Sequence, residues 1–337
     1  MQNKTLRFGK DVSVLASASV VGSKEHEGPI GDVFDLFDAS DKFSKKTWEK
    51  AEGEMQRLSL GIALSKARLE ERDIDAIFAG DLLNQCSASA YGLLDYDVPY
   101  FGLYGACSTA AESMMLSAMA VSAGHFCRCA AVTSSHNCSS ERQFRTPVEY
   151  GGQRSPTAQW TVTGAGAFII GRGGSVRIAE AMPGIVIDKG INDASNMGAA
   201  MAPAAAHTVL RYLEYGEMPL REIDLIVTGD LGYEGGSIFC ELLATRGYDI
   251  RDRYNDCGMM IYCKDGQDMH SGGSGCGCSA VVMASYIIPK IARRELCNVL
   301  FVGTGAMMSP SSIQQGLSIP AVGHLLRLCP AEKREEV

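Results

Sequence analysis

Along this chain, apolar residues recur first at helical and then at strand spacing, and the whole series occurs twice. From Leu58 to Leu83, LSLGIALSKARLEERDIDAIFAGDLL places an apolar helix before an Ile-Asp pair, a short apolar run and Gly-Asp-Leu. From Ala204 to Gly232, AAAHTVLRYLEYGEMPLREIDLIVTGDLG passes through the same stages. Asp75 and Asp224 stand 149 positions apart, and so do Asp81 and Asp230. A register kept across a whole block marks an internal duplication.

The match continues downstream more loosely. Cys107 opens an apolar helix reaching about Gly124, which leads into the strand-like CRCAAVTSS. Gly275 to Cys278 open SAVVMASYIIPKIARR, which leads into NVLFVGTGA. Helices of this length between short β-branched runs predict βαβ units and a mainly parallel sheet covered by helices. The two halves, residues 1–173 and 174–337, form a pseudo-dimer within one chain. Between them TVTGAGAFIIGRGGSVRIAEAM predicts a strand, a glycine turn and a second strand; no helix follows the turn, so a hairpin is favoured over a phosphate loop. Ser134 to Gln159 is polar and rich in Gly and Pro, the pattern of a long functional loop. Gly22 to Glu54 is a second polar excursion, and AEKREEV is a frayed tail.

Composition narrows the function classes. The 337 residues are 46% hydrophobic and carry a net charge of -8, which argues against a general nucleic-acid partner. No stretch approaches the roughly 20 uninterrupted apolar residues of a membrane span, so any membrane association is expected to be peripheral. The opening apolar run is interrupted by Asp11 and reads as a strand, with a secretory signal as the lesser alternative. Twelve cysteines without a clear export signal favour reduced thiols in a cytoplasmic setting. The Cys127/Cys129 and Cys276/Cys278 pairs lack the second pair of a zinc ribbon and read as core thiols, so no metal site is expected.

The candidate chemistry centres on Cys107, in YGACSTAAESMM. A cysteine before small helix-favouring residues sits where helix amides stabilise a thiolate. It is either a nucleophile or a thiol lining a pocket. Met114, Met115 and Met119 are expected to pack the same helix. His136 and Asn137 end the strand after it, near the carboxyl-end crevice of an open sheet, or else cap a helix. Asp230 ends the matching strand of the second half and either holds a calcium ion or caps the next helix. Arg142, Arg145 and Arg154 lie in the long polar loop, where a planar guanidinium can grip a carboxylate through two hydrogen bonds; the alternative is a solvated charge. His270, beside Asp268 and Ser271, is the remaining acid-base candidate or a satisfied loop histidine. His26, His125, His207 and His324 stand alone.

YGACSTAAESMM, DIDAIFAGDLLN, TVTGAGAFII and HSGGSGCGCSAVVM together resemble the thiolase and ketoacyl-synthase superfamily. Over nearly its whole length the chain is similar to the sporulation branch of that superfamily, thiolase-like proteins of the spore machinery that moves dipicolinic acid. The resemblance implies an α/β fold, a thiolase-like five-layered α/β/α/β/α sandwich built from two duplicated halves. It also places Cys107 where the condensing enzymes hold their nucleophile. Those enzymes need histidines, or a histidine and an asparagine, to move protons and hold the thioester oxygen. Here the histidine positions fall on Gly229 and Ser274, with His270 four residues before the second.

The resemblance therefore implies a non-catalytic ligand-binding protein, taking up dipicolinic acid or its calcium chelate for the spore. Its expected contacts are Cys107, His136, Asn137, Arg142, Arg154, Asp230, His270 and Ser274, with no cofactor unless calcium travels with the ligand. The alternative is an acyl-thioester condensing or acyl-transfer enzyme using Cys107 and His270. A homodimer, other membrane proteins of the same uptake machinery as partners, and a peripheral place on the cytoplasmic side of the spore inner membrane are implied with it.

Overall fold

The computed structural model describes residues 5–144, 154–216 and 218–332. In the first half, five strands form the main path of one sheet: β1 (Val12–Gly22), β2 (Ala76–Gly80), β3 (Tyr100–Gly102), β4 (Cys129–Ser135) and β5 (Gly164–Arg172); the short strand Leu36–Asp38 pairs beside β1, and Leu6–Arg7 beside Val176–Met182 of the second half. In the second half the five are β6 (Val176–Met182), β7 (Leu225–Thr228), β8 (Tyr254–Asp256), β9 (Val299–Ala306) and β10 (Ala321–Pro330). The spatial orders are β1-β5-β4-β2-β3 and β6-β10-β9-β7-β8, the same permutation twice. A short antiparallel contact, Ser13 with Arg177 and Val14 with Val176, joins the two sheets through β1 and β6.

Strand sense also repeats. β2 pairs parallel with β3 and β4, whereas β5 runs antiparallel to both β4 and β1. β7 pairs parallel with β8 and β9, whereas β10 runs antiparallel to both β9 and β6. Each sheet is therefore mixed rather than mainly parallel. The helical crossovers account for the parallel pairs, and the last strand of each half returns without such a crossover.

The principal helices are α1 (Trp48–Ala67), α2 (Ser87–Gly92), α3 (Thr109–Ser122), α4 (Asn137–Phe144), α5 (Met197–Tyr215), α6 (Gly232–Ala244) and α7 (Cys276–Val282), the last continuing through a π turn to Ala292. α1 begins at Thr47, whose hydroxyl accepts from the Lys50 amide, and ends at a left-handed Arg68. It covers the outer face of the first sheet with Ala51, Met55, Leu60 and Ala63. α5 does the same for the second sheet. α3 and α7 lie between the sheets, α3 touching β4 and β9 alike. Such a helix is buried on most of its surface, and α3 buries Ala110, Ala111, Met114, Met115, Ala118 and Val121. Met119 is the exception to the expected packing: it points out of the layer and is 40% exposed. The five layers are thus helix, sheet, helix, sheet, helix.

Close approach of the middle layer depends on glycine. A Cβ on Gly303 would stand 2.6 Å from the Ala111 Cβ, and one on Gly166 2.6 Å from the Ala280 backbone. The principal core runs through both halves, with Met114, Phe168, Ile178 and Phe301 in one cluster. The repeated Ile-Asp pair has a structural task as well. The Asp75 carboxylate accepts from the Cys127 and Arg128 amides at 2.6 and 3.0 Å, and Asp224 accepts from the Cys297 and Asn298 amides at 2.6 and 2.9 Å. Each ties the turn before β4 or β9 to the neighbouring strand. Among the described residues no helix is long and apolar enough to cross a membrane.

Candidate functional site

A cavity of about 470 Å³ opens at the carboxyl ends of the strands, where the two halves meet. Its wall draws Asp81 and Leu82 from the end of β2, Cys107 from the entrance to α3, Phe144 from α4, and Met307 and Met308 from the turn after β9. Cys107 is brought there by a tight turn. Ala106 takes a left-handed φ of 49°, and the Ser108 and Thr109 hydroxyls donate back to the Gly105 and Ala106 carbonyls, each at 2.6 Å. An alanine in that region costs about 1 kcal/mol, which the surrounding packing sustains. The thiol is 6% exposed and faces the crevice.

What stands opposite the sulfur is a carboxyl group, not an imidazole. Asp230 is fully buried and accepts from the Thr304 hydroxyl at 2.7 Å, the Gly275 amide at 2.9 Å and the Ser274 hydroxyl at 3.2 Å. Gln159 donates to its backbone carbonyl at 2.7 Å. Asp230 therefore binds the second-half turn rather than capping α6; the amides of Leu231 and Gly232 go to Asp256 instead. Burial raises the Asp230 carboxyl above its ordinary range. Burial, and after it the charge of Asp230, pushes the Cys107 thiol well above the usual thiol value. The N-terminus of α3 would favour a thiolate, but desolvation and a like charge oppose it and prevail.

The remaining expected contacts lie elsewhere. His136 is buried with both ring nitrogens in use: Nδ1 accepts from the Cys138 amide at 3.1 Å, which leaves Nε2 to donate to the Asp41 carbonyl at 2.9 Å. Burial lowers its pKa, so it is a neutral structural imidazole. Asn137 donates through its side chain to the Thr161 carbonyl at 3.3 Å and through its amide to Thr163 Oγ1 at 3.1 Å. Arg142 pairs with Glu49 on the outside of α4. Arg154 pairs with Asp268 and lies over the Trp160 ring. His270 sits in the same group, its Nδ1 at 2.7 Å from the Ser155 carbonyl and its Nε2 at 3.0 Å from Asp268. None of these five side chains lines the cavity. Arg145 lies outside the described residues.

The separation of His270 from Cys107 follows from a two-residue ribbon. Trp160–Thr161 pairs in parallel with Gly273–Ser274. Successive side chains on a strand point to opposite faces. Thr161 and Ser274 face the cavity, whereas Trp160 faces outward to Lys24 and Arg154. Ser274 thus reaches the site as expected, and the Arg154–Asp268–His270 group is left on the far side. The expected loop from Ser134 to Gln159 likewise contains a helix, α4, whose Ser140 and Phe144 form cavity wall.

Asp81 was not singled out from the sequence as a site residue, yet it lines the cavity. The signal was present: it is the first-half counterpart of Asp230 in the duplicated Gly-Asp-Leu. Of this pseudo-symmetric pair Asp81 lies in the cavity wall, whereas Asp230 is fully buried outside it. Among the described residues no cluster of three or more His, Cys, Asp and Glu side chains is arranged to hold a metal ion.

Comparison with known proteins bears on the family and the fold. The family model for stage V sporulation protein AD matches residues 2–329. Stage V sporulation protein AD of Bacillus subtilis (strain 168) is 41% identical over 322 residues, 95% of each chain. Among solved structures, 3-oxoacyl-[acyl-carrier-protein] synthase III from Aquifex aeolicus VF5 superposes with a TM-score of 0.58 at 12% identity, covering 94% of this chain and 99% of that one. A variant of OleA from Xanthomonas campestris superposes with a TM-score of 0.60 at 13% identity, covering 97% and 100%. Those two likenesses concern the fold alone, which is thiolase-like.

Proposed function

The chain belongs to the stage V sporulation protein AD family, and from that premise we propose that it binds dipicolinic acid, free or as its calcium chelate, for uptake into the developing spore, without turning it over. The observation that carries this reading is the pairing of Cys107 with Asp230. A condensing enzyme needs a thiolate, a proton carrier and donors for the thioester oxygen. Here the thiol is held in its acid form by burial and a carboxyl neighbour, and no histidine is among the described residues of the cavity wall.

The cavity volume of about 470 Å³ suits a small planar ligand. The described wall offers apolar surface from Leu82, Phe144, Met197 and Met308 beside hydrogen-bonding groups from Asn84, Ser274 and Ser309. It carries no lysine or arginine, so the cation that would offset a dicarboxylate is calcium, arriving with the ligand. Attachment to the spore membrane would be peripheral and made through other proteins of the uptake machinery. Pairing with a second copy would use β3, which ends its sheet and leaves Tyr100 and Phe101 39% and 45% exposed.

Calorimetric titration of the full chain with dipicolinate, with and without calcium, tests the reading. Saturable heat is expected. No heat at millimolar ligand, or an acyl adduct on Cys107 after incubation with a short acyl-CoA, would overturn it in favour of an inert scaffold or an acyl-transfer enzyme, respectively.

A further inference from the structure

Behind the cavity wall lies a buried polar chain in which Cys107 takes no part. Asp81 accepts from the Ser89 hydroxyl at 2.6 Å and from the Leu83 and Ser89 amides, both at 2.8 Å. Ser89 Oγ accepts from Gln56 Nε2 at 2.8 Å, and the second hydrogen of that amide goes to Ser134 Oγ at 2.7 Å. Ser134 Oγ donates to Glu52 Oε1 at 3.0 Å, and Ser139 Oγ donates to Glu52 Oε2 at 2.7 Å. Two carboxyl groups are thereby connected through serine, glutamine and serine. Asp81, at the cavity, is 4% exposed; Glu52, Gln56, Ser89 and Ser134 are completely buried.

Donor counting sets the direction of the chain. The Gln56 amide spends both hydrogens outward, so each serine receives one and passes its own to a carboxyl oxygen. The groups that face the two acids provide no positive charge among the described residues. Around Asp81 these are Cys86 ahead of α2, Tyr100 of β3 and Cys276 of α7, with Glu112 of α3 beyond Cys86. Near Glu52, the His136 carbonyl shares Ser139 with the carboxylate, and the ring of that histidine is satisfied and neutral. Two ionised carboxylates would therefore repel each other with nothing to offset them. Burial raises both acids, and Asp81 raises Glu52 further. Among the described residues one acceptor is left over: Gln56 Oε1 is buried without a partner, one helical turn along α1 on the same face as Glu52.

We propose that the Asp81–Glu52 pair, coupled by charge across the serine and glutamine bridge, makes ligand binding proton-coupled: an anionic ligand beside Asp81 is taken up with a proton from solvent, which Asp81 receives, and a ligand carrying its own cation is taken up without one. The coupling rests on the reading of the cavity as a dipicolinate site. The device would let one cavity accept both forms although its described wall contains no lysine or arginine. Coupling of one proton makes affinity fall about tenfold for each pH unit across the range in which the pair titrates, and interaction between the two acids spreads that range.

The test is titration calorimetry of the full chain at one neutral pH in two buffers of different ionisation enthalpy. The ligands are disodium dipicolinate and preformed calcium dipicolinate. About one proton taken up with dipicolinate and nearly none with the calcium chelate is the expected result. Asp81→Asn should abolish the uptake, and Glu52→Gln should reduce it. Binding of dipicolinate with heat identical in both buffers overturns the coupling and leaves the ligand reading standing; no heat from either form sinks the ligand reading and the coupling with it. Infrared difference spectra guard against variants that lose binding for other reasons. Glu52→Gln should remove a protonated-carboxyl band, and Ser134→Ala, which keeps both acids but breaks the bridge, should shift it. A band unchanged in both variants overturns the coupling of the two acids.

Discussion

Alkylation of Cys107 by iodoacetamide at pH 7 distinguishes most directly between a nucleophile and a closed thiol. The ordinary thiol value of 9.0 leaves about one thiolate in a hundred at that pH. Burial and Asp230 place Cys107 well above that value, so its thiolate fraction is smaller still, and each further unit removes another factor of about ten. Limited access compounds the effect, since the residue is 6% exposed whereas Cys127, Cys263 and Cys297 are exposed. Peptide mapping by mass spectrometry over a time course should therefore find Cys107 modified at least about tenfold more slowly than those three. Asp230→Asn removes the like charge but not the burial, which is the larger cause. Labelling of Cys107 should accelerate in that variant while remaining slower than at the exposed thiols. A Cys107 that labels first in the unmodified chain, or that is indifferent to Asp230→Asn, would refute the account of the site, because a condensing enzyme needs the opposite ranking.

Stability should depend on pH through buried acids away from the cavity. Glu25 accepts from the Thr163 amide and the Tyr262 hydroxyl, and burial raises its pKa from 4.5 to about 7. The folded chain thus keeps a proton that the unfolded chain releases. The resulting cost is absent below pH 4.5, grows between 4.5 and about 7 and is constant above, amounting to roughly 3 kcal/mol. Urea unfolding of Glu25→Gln should lack that part of the decline, and a pH profile parallel to that of the unmodified chain would count against it. Ala106→Gly relieves the left-handed turn before Cys107 and should stabilise by about 1 kcal/mol, measured as a higher urea midpoint; a lower midpoint would show that the turn is not strained. Gly166→Val forces side-chain atoms against the Ala280 backbone and should cost about 3 kcal/mol, with a cost under about 0.5 kcal/mol contradicting the close approach of α7.

Local pattern is what a sequence states most directly, and here the same pattern was stated twice. Apolar periodicity and the recurring Ile-Asp and Gly-Asp-Leu marked the duplicated units, because each motif recurs in the same register; that Asp75 and Asp224 anchor the turns before β4 and β9, 52 and 73 positions further on, was not legible in it. The place of Cys107 at a helix entrance was legible in the same local pattern. Strand sense was not. The antiparallel return of β5 and β10 depends on which edge each strand meets, a choice made by the whole sheet. Nor could periodicity reveal α4 within a polar segment, whose buried residues are serines rather than aliphatics.

The sequence by itself thus determined the repeated units, their helical crossovers and a sulfur at the start of a central helix, because each is written in contacts between near neighbours. Tertiary structure alone decided what stands opposite that sulfur. Asp230 meets Cys107 because the second half folds back across the crevice, and Ser274 meets both through the ribbon with Thr161. One residue of alternation in that ribbon leaves Trp160 and its Arg154–Asp268–His270 surroundings on the other face. The direction of a side chain across a strand is fixed only when the strand has chosen its partner, and that choice belongs to the folded chain.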